Sequence, residues 1–77
     1  HCSVDGEMRQ DSHTSLMILD VPGLVAYLSE VCTLEPGDLV FTGTPAGVGD
    51  PQGRCLEVGQ LVESEIPSVG RLANRCV

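Results

Sequence analysis

Asp38-Leu39-Val40-Phe41-Thr42-Gly43-Thr44-Pro45-Ala46-Gly47-Val48-Gly49 joins a short apolar run to a loop with three glycines in seven residues. Residues 38–42 read as a strand covered on both faces, because the run is apolar, short and bounded by turn signals. In the loop at 43–49 the glycines let backbone N–H groups approach and cradle an anion. Thr42 and Thr44 add hydroxyl donors, and Pro45 fixes the backbone after Thr44 while contributing no N–H. The loop is no Walker motif, because no Lys-Ser/Thr follows. Nor is it a dinucleotide fingerprint, because Gly47-x-Gly49 leads to Gln52 rather than a third glycine. On these residues alone the loop reads either as a sharp structural turn or as a cradle for a carboxylate or enolate oxygen.

Upstream of that stretch, residues 21–33 carry the helical pattern. Leu24, Val25, Leu28, Val31 and Cys32 fall on one apolar stripe. Pro22 suits the first turn, Asp20 lies at the positive end of the helix dipole, and Glu35-Pro36-Gly37-Asp38 stops the helix. Residues 2–10 read as a hairpin, since Asp5-Gly6 is a two-residue signal for a type I′ turn. Asp11-Ser12-His13-Thr14-Ser15 is a polar loop, followed by the apolar patch Leu16-Met17-Ile18-Leu19. Downstream, residues 50–54 form another polar loop. Residues 60–66 alternate as a strand, with Val62, Ser64 and Ile66 on one side and Glu63 and Glu65 on the other. Pro67 and Gly70 bound a turn, and residues 71–77 form a last strand. The pattern predicts a β-rich α+β fold with one amphipathic helix near residues 21–33, in a single unit.

Composition narrows the chemistry. The 77 residues hold 11 acidic and 4 basic side chains, for a net charge of −7, and all four basic groups are arginines. Without lysine there is no Schiff-base catalysis and no lysine-bound pyridoxal phosphate. An acidic chain with no basic cluster argues against nucleic acid as a partner, since phosphate contacts need Lys or Arg. One Tyr, one Phe and no Trp leave no stacking platform for single strands. The apolar runs are too short to span a membrane, and no signal peptide is expected from a start that contains Asp5, Glu7 and Arg9. Residue 1 is histidine, so the chain reads as processed, truncated or excerpted.

Other reactive groups have plain readings. Cys2, Cys32, Cys55 and Cys76 are widely spaced with no C-x-x-C pair, so they read as small buried hydrophobes, with two disulfides as the alternative. Glu63-x-Glu65 is the one close carboxylate pair in a strand and reads as a solvent face. His13 has the chemistry of a general base, yet in a polar loop it reads as exposed.

Several motifs together resemble the C-terminal portion of the fumarylacetoacetate hydrolase family. They are Val4-Asp5-Gly6-Glu7, Gln10-Asp11, Thr14, Ala26-Tyr27-Leu28-Ser29, Thr33-Leu34-Glu35-Pro36-Gly37-Asp38 and Thr42-Gly43-Thr44-Pro45-Ala46-Gly47-Val48-Gly49, with Ile66, Val69-Gly70-Arg71-Leu72 and Asn74 at the close. The segment from Leu34 to Gly49 is the specific one. Where the family often has Asp-Gly-Asn-Thr, this chain has Asp11-Ser12-His13-Thr14.

The resemblance implies that residues 1–77 are the C-terminal segment of a catalytic domain of mixed β-roll architecture, incomplete in this chain. It implies a cytoplasmic homodimer that uses Mg²⁺, or Mn²⁺ or Ca²⁺, and acts on small 2-oxo, β-diketo or enol acids. The reactions are hydrolytic C–C cleavage, decarboxylation, hydration or isomerisation. The family's metal ligands and its His–Glu pair belong upstream of His1, so no catalytic residue and no metal ligand is expected in this segment, which alone should be inactive. The second threonine of the Thr-Gly-Thr-Pro loop, Thr44, corresponds to a substrate-contacting residue, with Gly43 beside it. The residues also admit a small anion-binding β-rich module, or a non-catalytic relic of the fold.

Overall fold

The computed structural model describes residues 1–77, apart from the side chain of Asp50. Contacts divide the chain into two compact units, where the sequence reads as one. The first comprises residues 1–12 and 44–77, and the second residues 13–43.

The first unit is a four-stranded antiparallel sheet. Its strands are β1 (Cys2–Val4), β2 (Glu7–Gln10), β3 (Leu61–Ile66) and β4 (Gly70–Arg75), in the order β2-β1-β3-β4. The β1–β2 hairpin forms as its turn signal predicts. Asp5 and Gly6 hold φ of 49° and 80°, and Val4 faces Glu7 across the turn. A two-residue loop with both φ values positive matches the twist of the strands it joins. Asp5 also serves the sheet. Its N–H donates to the Leu61 carbonyl at 2.9 Å, and its Oδ1 accepts from the Leu61 N–H at 2.8 Å. The turn of one hairpin is thereby fixed to the first residue of β3, which sets the β1–β3 register of Val4 opposite Val62.

The β3–β4 hairpin turns at residues 67–69, with Ser68 at φ 66°. Glu63 on β3 pairs with Arg71 on β4, and Glu65 lies 3.2 Å from the His1 ring. The expected division into a solvent face and an inner face does not hold along β3: Glu63 is half-buried like Val62 and Ser64, while Glu65 and Ile66 are both exposed. Residues 44–60 return along this unit without further strands. A 3-10 turn at Asp50–Gln52 and hydrogen bonds from the Gln52 and Arg54 amides to the Gly49 carbonyl shape the loop.

The second unit is built on α1 (Val21–Val31). Asp20 caps it, its Oδ1 accepting from the Gly23 N–H at 2.9 Å, and Pro22 stands in the first turn, where its missing N–H costs nothing. Cys32 forms the C-cap through its N–H to the Leu28 carbonyl. At the following turn the Asp38 carboxylate accepts from the Glu35 N–H while the Asp38 N–H returns to the Glu35 carbonyl.

Three expectations are corrected. Residues 38–42 form no strand; Leu39 and Phe41 are 87% and 97% exposed rather than covered. A strand exists through its ladder, and among the described residues this run has no partner. The helix stripe is not a core: Leu24 and Leu28 are half-buried, but Val25, Val31 and Cys32 are exposed. The cysteines are not buried either. All four are free, Cys32 and Cys55 exposed and Cys2 and Cys76 half-buried. The common cause is a shortage of interior, since Val4 is the one buried hydrophobe among the described residues.

So small a core cannot balance the conformational entropy of 77 ordered residues. The isolated chain should therefore show no sharp thermal unfolding above about 60 °C in reducing buffer, ordinary domains melting at roughly 45–65 °C. A steep, reversible transition above that range, followed by circular dichroism, would contradict this.

Candidate functional site

The glycine loop lies against the hairpin in the first unit, and the approach is close. A Cβ built on Gly47 would overlap the carbonyl oxygen of Arg9, and one on Gly49 would overlap that of Arg54. Gly47 also has φ 109°, which side-chain-bearing residues rarely adopt. Close backbone approach, to β2 at Gly47 and to the Arg54 carbonyl at Gly49, thus explains two of the three loop glycines.

Between loop and sheet lies a cleft of about 420 Å³. Cys2, Val4, Val62 and Leu56 give it an apolar lining, and Arg9, Gln10, Thr44 and Arg54 bring its polar groups. Strand alternation puts Cys2 and Val4 on one face of β1, opposite Ser64 and Val62 of β3. This apolar patch with a few polar groups at its edge has the make-up of a small-molecule site.

Thr44 lines the cleft. Its Oγ1 accepts from the Gln10 side-chain amide at 2.8 Å, and the same Nε2 donates to the Pro45 carbonyl at 2.9 Å. Gly43 is the last residue of the second unit, exposed, with φ 86°. Thr42 is also exposed and outside any strand, so the expectation that it ends a strand is withdrawn. His13 is exposed as expected and has local work: its Nδ1 accepts from the Ser15 N–H at 3.1 Å, capping the short turn Thr14–Leu16.

Three polar residues enter the site that the loop sequence did not announce. Gln10 is one. Arg9 is another: its side chain is 17% exposed, and its buried Nε has no hydrogen-bond partner. The third is Arg54, which donates to Glu7 Oε1 at 2.6 Å. That bond and the Arg54 charge, with Arg9 adding to them, hold the Glu7 carboxyl below its ordinary value. A depressed folded value means that the pair supports the fold above the usual carboxylate range and that the support fades as pH falls through the lowered value. Being exposed, the pair is also weakened by salt. Alternation along β2 could have flagged Arg9 and Gln10 as opposite-facing, but which one meets the loop is a long-range fact. Among the described residues no three His, Cys, Asp or Glu side chains converge on a point that would hold a metal ion.

Residues 1–77 match the family model of the fumarylacetoacetate (FAA) hydrolase C-terminal. The chain belongs to the fumarylacetoacetate hydrolase family. It is 50% identical over 74 residues to the homoprotocatechuate catabolism bifunctional isomerase/decarboxylase of Escherichia coli, covering 96% of this chain and 16% of that protein. It is 58% identical over 65 residues to the mitochondrial oxaloacetate decarboxylase of Dictyostelium discoideum, covering 84% and 28%. A fumarylacetoacetate hydrolase domain-containing protein 2 homolog from the same organism is 41% identical over 76 residues, covering 95% and 25%. The chain thus spans less than a third of the length of these relatives. No solved structure matches. Among the described residues no helix is long and apolar enough to cross a membrane.

The contact between Gly47 and β2 gives a test of the loop's seating. In a polypeptide that contains residues 1–77, Gly47→Ala should cost about 2 kcal/mol or more, because both the backbone angle and the Arg9 carbonyl oppose a Cβ. A melting temperature unchanged by Gly47→Ala would show that the loop does not sit on the hairpin.

Proposed function

We propose that residues 1–77 form the C-terminal segment of an enzyme acting on small 2-oxo, β-diketo or enol acids, and that Thr44 contacts the substrate. The reaction belongs to the set of C–C hydrolysis, decarboxylation, hydration and isomerisation. Family membership supports the enzyme class, and two relatives, an oxaloacetate decarboxylase and an isomerase/decarboxylase, support the substrate class. The observation that carries the role of Thr44 is its hydroxyl at the cleft edge, beside an apolar floor and arginine side chains. That combination suits a short organic acid, with the carboxylate or oxo end at the polar edge and the carbon chain over Val4 and Val62.

On this reading the four strands belong to a mixed β-roll completed by other residues of the full-length protein. Mg²⁺, or Mn²⁺ or Ca²⁺, is held by ligands outside this segment. The assembly is a cytoplasmic homodimer, and Gly43 shapes the backbone next to Thr44. The contribution of this segment is to bind and orient: a hydroxyl fixed beside a carboxylate restricts the angle at the bond to be broken. A second reading, a non-catalytic module that binds anions, draws on the unpartnered buried Nε of Arg9.

The test is Thr44→Val in the full-length polypeptide, assayed with oxaloacetate and with acetylpyruvate in the presence of Mg²⁺. The change keeps the shape and removes the donor. A hydrogen bond to a charged group is worth about 1.5–3 kcal/mol, so kcat/KM should fall roughly 10- to 150-fold with metal content unchanged. In the same assay the isolated 77-residue chain should turn over neither acid. Full kcat/KM in Thr44→Val would refute the substrate contact. Anion binding by a full-length protein that turns over neither acid would favour the second reading.

A further inference from the structure

We infer that Gln10 is a positioning residue for Thr44, one that keeps the threonine's hydroxyl proton free for the substrate. The inference rests on the reading of Thr44 as a substrate contact. Its basis is the direction of two hydrogen bonds. The Pro45 carbonyl can only accept, so the group of the Gln10 side chain that faces it at 2.9 Å is the NH₂. The same nitrogen lies 2.8 Å from Thr44 Oγ1. One amide hydrogen serves each oxygen, which makes the threonine hydroxyl an acceptor in this contact. A hydroxyl has one proton and two lone pairs. With a lone pair taken by Gln10, the proton of Thr44 has no acceptor among the described residues, and it is left for whatever enters the cleft that both side chains line.

Geometry keeps this arrangement in place. Gln10 ends β2, and its Cα pairs with Cys2 across the hairpin. Gly47 rests on the carbonyl of the preceding residue, Arg9. The amide therefore reaches Thr44 and Pro45 from a strand, while the loop is seated three residues further on. A donor whose direction is set before the ligand arrives costs no reorganisation during reaction. Deleting the amide frees the hydroxyl to turn away. Replacing it with a carboxylate does more: an ionised Glu accepts only, so it engages the Thr44 O–H as an acceptor and repels the Pro45 carbonyl.

The experiment compares Gln10→Met, Gln10→Glu, Thr44→Val and both double variants. Each is made in the full-length polypeptide and assayed with whichever of oxaloacetate or acetylpyruvate the parent turns over. Gln10→Met should lower kcat/KM about 3- to 10-fold, the size of one neutral hydrogen bond, and Gln10→Glu should lower it as far as Thr44→Val. Both should divide their loss between kcat and KM in the proportion that Thr44→Val shows, because they act through that hydroxyl. In the Thr44→Val background either change should cost less than about 2-fold more, the mark of residues acting as one unit. Losses at Gln10 that multiply with those at Thr44, or parental kcat/KM in Gln10→Glu, would overturn the inference while leaving the substrate contact standing. A silent Thr44→Val would overturn both. Gln10→Met keeps the test open should the glutamate variant fail to fold.

Discussion

A single side-chain amide ties the glycine loop to the edge of the sheet. Gln10 reaches from the end of β2 to Thr44 and Pro45, and the position of the loop follows from that pair of bonds and from the contact of Gly47 with the Arg9 carbonyl. Each bond is an ordinary one, worth about 1 kcal/mol net. Their weight lies in direction: they fix which way a hydroxyl points at the mouth of an apolar cleft. The other loop residues are then placed in turn, because Gly49 packs on the Arg54 carbonyl and Arg54 bonds to Glu7 at the far end of β2. Loop and hairpin hold one another at both ends of a four-residue strand.

The rest of the first unit keeps that strand where it is. β2 is an edge strand paired only with β1, and β1 is held by β3 through three residue pairs. Asp5 adds two bonds to Leu61, which pin the hairpin turn to the central strand. Polar contacts thus do much of the ordering, while the apolar side chains stay largely on the surface. Leu16, Ile18, Leu39 and Phe41 are all exposed, and Val4 alone is buried among the described residues. The relatives that the chain matches are about three to six times its length.

Local chemistry was legible and long-range pairing was not. Asp5-Gly6 announced its hairpin because two consecutive positive φ values have few sequence solutions. The helix was legible at its start, in Asp20-Val21-Pro22, since capping is decided within a turn of chain, while its end came two residues early, at Val31 with Cys32 as the cap, before the Glu35-Pro36-Gly37-Asp38 turn. The run Asp38–Thr42 misled because an apolar pentapeptide records a preference for burial, not the presence of a partner strand. The helix stripe misled in the same way. At the site, Thr44 is legible through the family resemblance, and the loop glycines read either as a structural turn or as an anion cradle. The structure gives Gly47 and Gly49 a packing reason, in line with the first of these. Gln10 was in view only as part of a motif, since its role depends on a residue 34 positions later.

The central claim is that Thr44 presents a donor to the acid group of the substrate. The most direct measurement is a crystal structure of the full-length protein with oxalate, an inert mimic of a 2-oxo acid, bound in the presence of Mg²⁺. The account predicts an oxalate oxygen within about 2.5–3.0 Å of Thr44 Oγ1, the range of an O–H···O bond, with Gln10 still bonded to the same hydroxyl. Oxalate bound at full occupancy with no oxygen in reach of Thr44 would contradict it.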